Sequence, residues 1–167
     1  MEFLSWLEQS SFSVWMRESP SVWAYPMVLF MHTLGLGLLV GASMVIDLRV
    51  LGCSRDLPLE PMKKFFPVMW IGFWINALSG LALVTIDATA MLTNPLFYVK
   101  LIFIALAITC GRFIGKLAFS DALADKGPLP PSKILAAASL VFWMAAITAG
   151  RLTAYLFKDV GVADLSH

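Results

Sequence analysis

The chain has 167 residues, of which 59% are hydrophobic and 14% charged, and its net charge is +1. Soluble domains average about 25% charged residues. The mean hydropathy of +0.81 therefore excludes a disordered chain and argues against a soluble domain. The near-neutral charge gives no basis for a nucleic-acid partner. Two cysteines, Cys53 and Cys110, make neither a disulfide framework nor a CxxC redox or zinc motif.

Residues 1–19 come first. Phe3, Leu4, Trp6, Leu7, Val14 and Trp15 alternate with Glu2, Glu8, Gln9, Arg17 and Glu18, and Pro20 stops any helix begun here. The pattern predicts an interfacial amphipathic helix, with its tryptophans at the lipid headgroups. An N-terminal arm packed on the rest of the chain is the alternative. Glu2 and the lack of an uninterrupted apolar run speak against a signal peptide.

Four apolar segments follow, at about 22–46, 65–86, 95–119 and 134–157. Each is long enough for a bilayer core of about 30 Å at a rise of about 1.5 Å per residue. They lack the polar faces of soluble helices. The expected fold is all-α: a polytopic membrane four-helix bundle over 20–158, with a C-terminal tail over 159–167. Such a bundle leaves no room for a separate catalytic domain.

The connections set an orientation. Arg49, Arg55, Lys63, Lys64, Arg112, Lys116, Lys126 and Lys133 lie on one side. Arg17, Lys100, Arg151 and Lys158 lie on the other. The positive-inside rule assigns the first side to the cytoplasm and both termini to the outside. The Gly127-Pro128-Leu129-Pro130-Pro131 run predicts a stiff break before the fourth span, with Ser132 as its N-cap.

Helices in lipid associate through close packing and interhelical hydrogen bonds. Gly37 and Gly41 form a GxxxG motif in the first span. Gly72, Asn76 and Gly80 mark a face of the second, Gly111 and Gly115 one of the third, and Ala145, Ala146, Ala149 and Gly150 one of the fourth. Packing within the chain and pairing in a homo-oligomer are both open to such faces.

Few polar residues reach into the spans. His32 lies roughly 15 Å from the outer end of its span by helix rise. With Asn76, Asp87, Lys100 and Arg151 it defines a candidate polar cluster in the outer half, rimmed by Tyr25, Tyr98 and Tyr155. The cluster could hold a ligand, an ion or a cofactor. Equally, Asp87 could simply neutralise Lys100 or Arg151 while His32 bonds a neighbouring carbonyl or Asn76. Asp47, Arg49 and Arg112 form a second candidate group at the cytoplasmic edge, where an Asp47–Arg112 pair would clamp two helices.

His32 is also the candidate cofactor ligand. Haem b would take a second axial ligand from a methionine, or from His167 or another chain. Copper(I) favours thioether and imidazole ligands, which Met27, Met31 and His32 supply within one stretch. Methionines in an apolar helix otherwise serve packing. No HExxH, GxSxG, phosphate loop or dinucleotide fingerprint is present, so no catalytic residues are assigned and no catalytic activity of its own is expected.

His32, Gly35, Gly41 and the run Asp47-Leu48-Arg49-Val50-Leu51-Gly52 resemble an uncharacterised family of small four-helix bacterial inner-membrane proteins. Pro67, Trp70, Gly72, Gly80, Asn94-Pro95, Phe97, Lys100 and Gly150-Arg151 extend the likeness, which covers nearly the whole chain. The family is broadly similar to the membrane part of copper-resistance D-type proteins. The resemblance implies the fold and a bacterial inner-membrane location but no activity. One departure stands out. Members are expected to have an acidic residue before the first-span histidine and sometimes a histidine in the third span. Here those stretches read Met27–Met31 and Cys110-Gly111-Arg112.

The sequence thus leads to an integral membrane subunit or accessory protein. Its expected partners are the lipid bilayer and other membrane protein subunits or a second copy, and a redox-related site at His32 is part of that expectation. An independent haem- or copper-binding electron carrier and a small permease are the alternatives.

Overall fold

The computed structural model describes residues 2–53, 60–118 and 130–163, without the side chains of residues 60, 118 and 154–163. Expectations that rest on Arg55, Lys126, His167 or the side chains of Tyr155 and Lys158 lie outside the described residues. The described residues form seven α-helices and no strand. In chain order these are α1 (Glu2–Glu8), α2 (Ser11–Glu18), α3 (Tyr25–Leu51), α4 (Phe65–Ile86), α5 (Ala88–Thr93), α6 (Pro95–Ala118) and α7 (Pro130–Ala163), with a 3-10 turn at Glu60–Lys64 before α4. The four long helices are each apolar and long enough to cross a membrane. They fit a multi-pass membrane protein built as a four-helix bundle.

Local chemistry sets the ends. Pro26 falls in the first turn of α3, Pro95 opens α6, and Pro130 and Pro131 open α7. A proline at the start of a helix removes only an amide that would have no partner there. Asn94 Oδ1 accepts from Leu96 N at 2.8 Å and caps α6. α3 ends in a left-handed Gly52 with φ 102°. The Cys53 amide reaches back to the Leu48 carbonyl at 3.0 Å and closes a Schellman turn.

Several boundaries move. α3 runs past Ile46 to Leu51 because Asp47 turns inward and need not end at water. α7 begins at Pro130, so Ser132 is a buried position inside the helix rather than its cap, and residues 159–163 of the expected tail continue the helix. The N-terminal segment is two helices, broken at Gln9 and Ser10, with Ser10 Oγ accepting from Ser13 N at 3.3 Å.

α3 pairs with α4 and α6 with α7, and α3 joins the pairs through α7. The α3–α4 seam is a backbone contact. A Cβ on Gly35 would stand 2.5 Å from Asn76 N, and one on Gly72 2.6 Å from Leu39 N. Gly37 and Gly41 face nothing within 4 Å. The GxxxG of the first span therefore lies outside the bundle, and Gly35 makes the close approach instead. Leu39, Val40, Ala42, Met69, Ala107 and Trp143 fill the centre. Ile46, Val50, Ile114 and Ala136 fill the end toward Leu51. At most 33% of any span window is buried, so most of each long helix presents apolar surface outward.

α1 and α2 pack across the opposite end. Ser13 Oγ donates to the Thr85 carbonyl at 2.9 Å, and Glu8 Oε1 accepts from Thr89 N at 2.7 Å. Met16 and Ser13 are buried there, while Phe3, Trp6, Phe12, Trp15, Val22 and Trp23 are exposed. The arm thus docks on the bundle by one face and keeps an aromatic face free, which suits a membrane interface.

Candidate functional site

α3 brings two polar side chains to the bundle, His32 in one half and Asp47 in the other. His32 Nδ1 lies 3.0 Å from the Asn76 backbone oxygen and 3.2 Å from Ser79 Oγ on α4. The Ser79 hydroxyl donates to the Ile75 carbonyl at 2.6 Å, so its proton is already used. A carbonyl only accepts. Asn76 Nδ2, a donor, lies farther from Nδ1 at 3.4 Å, so the shorter carbonyl contact favours the hydrogen on Nδ1, which in the neutral ring leaves the lone pair on Nε2. Asn76 Nδ2 returns a bond to the His32 backbone oxygen at 2.9 Å. Gly80 makes room for the ring, since a Cβ there would stand 3.0 Å from His32 Cε1.

The expected outer cluster divides. His32 and Asn76 are joined, and Lys100 of α6 comes within electrostatic range of the imidazole. The half-buried Lys100 stem lies against Gly150 of α7, where a Cβ would stand 3.5 Å from Lys100 Cδ. Asp87 and Arg151 are exposed. Among the described residues no ion pair joins Asp87 to Lys100 or Arg151. Asp87 instead marks the junction of α4 and α5, where its carbonyl accepts from Met91 N at 3.0 Å. Tyr98 Oη donates to the Leu92 carbonyl at 2.9 Å, and Tyr25 is exposed.

Asp47 behaves differently. It is 1% exposed, beside Ser139 of α7, which is 0% exposed. Asp47 Oδ2, Ser139 Oγ and Trp143 Nε1 are all buried without a hydrogen-bond partner among the described residues. Ser139 lies beside Asp47, and Trp143 lies one turn further along α7, in the central core. Cys110 of α6 is buried nearby, and Ser43 donates to Met69 Sδ at 3.4 Å. The Asp47–Arg112 clamp does not form. Arg112 is exposed and lies over the Trp70 ring at 5.5 Å. Arg49 is half-buried near the end of α3.

Metal donors are sparse. Among the described residues no group of three or more His, Cys, Asp or Glu side chains is placed to hold a metal. Met27 and Met31 are half-buried on α3, while the His32 ring is tied through Nδ1 to α4. His32 Nε2 is available as a single ligand.

Sequence reasoning missed Ser79, Ser139 and Trp143. Their spacing held a signal. Ser79 is three residues after Asn76, and Ser139 and Trp143 share a stripe with Ala136 and Ala146, both buried. That period is one face of a helix.

The fold and its inward-facing polar groups define a helical bundle of the multi-pass membrane class. Set against family models, curated proteins and solved structures, the chain matches none.

Proposed function

We propose that the chain is a small integral membrane subunit or accessory protein of a larger membrane assembly, with a redox-related polar site at His32. The observation that carries this reading is the packed interior. Backbone contact at Gly35 and Gly72 closes the α3–α4 seam, and Leu39, Met69 and Trp143 fill the centre. The described residues fill the centre of the bundle with side chains, which weighs against a permease. What remains for function is outward apolar surface and one imidazole fixed in orientation.

A bacterial inner-membrane setting, with both termini periplasmic, is part of the proposal. Among the described residues Arg49, Lys63, Lys64, Arg112, Lys116 and Lys133 gather at the end formed by the α3 C-terminus, the start of α4, the α6 C-terminus and the start of α7. Arg17, Lys100 and Arg151 lie toward the other end. That asymmetry supports the cytoplasmic assignment of the first end. Purification in mild detergent is the test: other membrane proteins should co-purify in fixed proportion, and a lone monomer would overturn the reading.

The second reading is an independent haem- or copper-binding carrier. The Nδ1–H tautomer of His32 favours it, because ligating histidines commonly donate their other ring N–H to a carbonyl. His32 Nε2 would be one ligand, with Met27 or Met31 as candidates for another. A bound haem or copper would supply one-electron chemistry. An absorbance spectrum with a Soret band, or stoichiometric copper by elemental analysis, would establish this reading over the first, and the absence of both would end it.

A further inference from the structure

A cleft of about 430 Å³ opens between α4 and α6 at the basic end, lined by Lys63, Phe66, Trp70, Arg112, Gly115 and Lys116. We propose that it binds the phosphate group of an anionic phospholipid headgroup. The lining is cationic on both sides, with Lys63 from the turn before α4 and Arg112 and Lys116 from α6. Among the described residues no carboxylate lines the cleft.

The floor is aromatic and organises the charge. Arg112 lies 5.5 Å from the Trp70 ring centroid, a stacked arrangement that guanidinium accepts readily. Its planar fork of donors suits phosphate oxygens. Gly115 lies between Arg112 and Lys116 in sequence. A Cβ there would stand 3.2 Å from Phe66 Cζ, so any other residue would press on the cleft's own wall.

Position separates a lipid from a soluble phosphate. The cleft sits where two apolar spans end. Ile71 on α4 and Phe113 on α6, next in sequence to Trp70 and Arg112, are 57% and 50% exposed, so both helices carry outward apolar surface for an acyl chain at the level of the charges. Basic pockets between spans at a cytoplasmic face commonly take anionic headgroups.

Native mass spectrometry of the full chain in detergent, with phosphatidylglycerol and phosphatidylcholine as paired probes, tests the assignment. Wild type should retain phosphatidylglycerol preferentially. The Arg112→Gln/Lys116→Gln double variant should weaken that retention roughly tenfold or more, given the contribution of each basic side chain near an anionic surface. Gly115→Leu should weaken it by crowding the cleft. Lys133→Gln removes an exposed charge that does not line the cleft and should leave retention unchanged. Equal retention of the two lipids by wild type, or an unchanged preference in the double variant, would overturn the proposal. So would a loss with Lys133→Gln as large as in the double variant. Displacement of the lipid by inorganic phosphate alone would assign the cleft to a soluble phosphate and overturn the lipid source.

Discussion

His32 and Asp47 lie on one helix, 15 residues apart, yet they are accommodated in opposite ways. His32 is met by α4. Its Nδ1 has an acceptor, its backbone oxygen receives the Asn76 amide, and Gly80 leaves room for the ring. Asp47 is more deeply buried and retains an oxygen with no partner among the described residues, beside a serine in the same condition. A satisfied polar group in a membrane bundle ties two helices together at modest gain. An unsatisfied one carries its desolvation cost without return. The two sites therefore predict opposite responses to the same kind of substitution.

The largest expected effect strikes the seam that holds the His32 side together. Gly35→Ala places a methyl group 2.5 Å from Asn76 N, against backbone that cannot yield cheaply. It should cost about 3 kcal/mol or more, read by unfolding in a detergent titration. Next comes the change of sign. Asp47→Leu should stabilise the bundle by about 1–3 kcal/mol, the cost of a buried group left unsatisfied. A destabilisation would show that the carboxylate has a partner the bundle depends on. Asn76→Leu, chemically parallel, should instead destabilise by about 0.6–1.7 kcal/mol, the range for hydrogen bonds between membrane helices. Gly37→Ala and Gly41→Ala should change stability by less than about 0.5 kcal/mol, because nothing lies within 4 Å of either. A larger effect would mean that another surface covers that face in the membrane.

The spans were legible because lipid leaves so few options. An uncharged run of the right length must be a helix there, and 65–86 coincides with α4. The end of α3 was not legible. A charged residue normally marks the water boundary, so Asp47 suggested a loop, whereas the residue turns inward and the helix continues to the next glycine. Gly37 and Gly41 misled for a related reason. Motif spacing shows that two small residues share a face, but not which way the face points. His32, Gly35, Leu39, Ser43, Ile46 and Val50 recur at three- and four-residue steps, and five of the six are buried. That stripe is the inward face, overlooked in favour of the glycine motif. The His32–Asn76 pairing could be foreseen from two polar residues at similar depth. The Asp47–Ser139 juxtaposition could not, because it depends on how α7 rotates against α3.

The grip of the N-terminal arm has a consequence for biogenesis. Glu8 bonds Thr89, 81 residues later, and Ser13 bonds Thr85, 72 residues later. A ribosome releases the arm well before either partner exists. The arm, made ahead of both partners, must therefore wait at the bilayer surface, aromatic side chains in the headgroups, until α3 and α4 have been inserted. It becomes the latch fastened after them, so an insertion fault in either crossing would leave the arm open to protease.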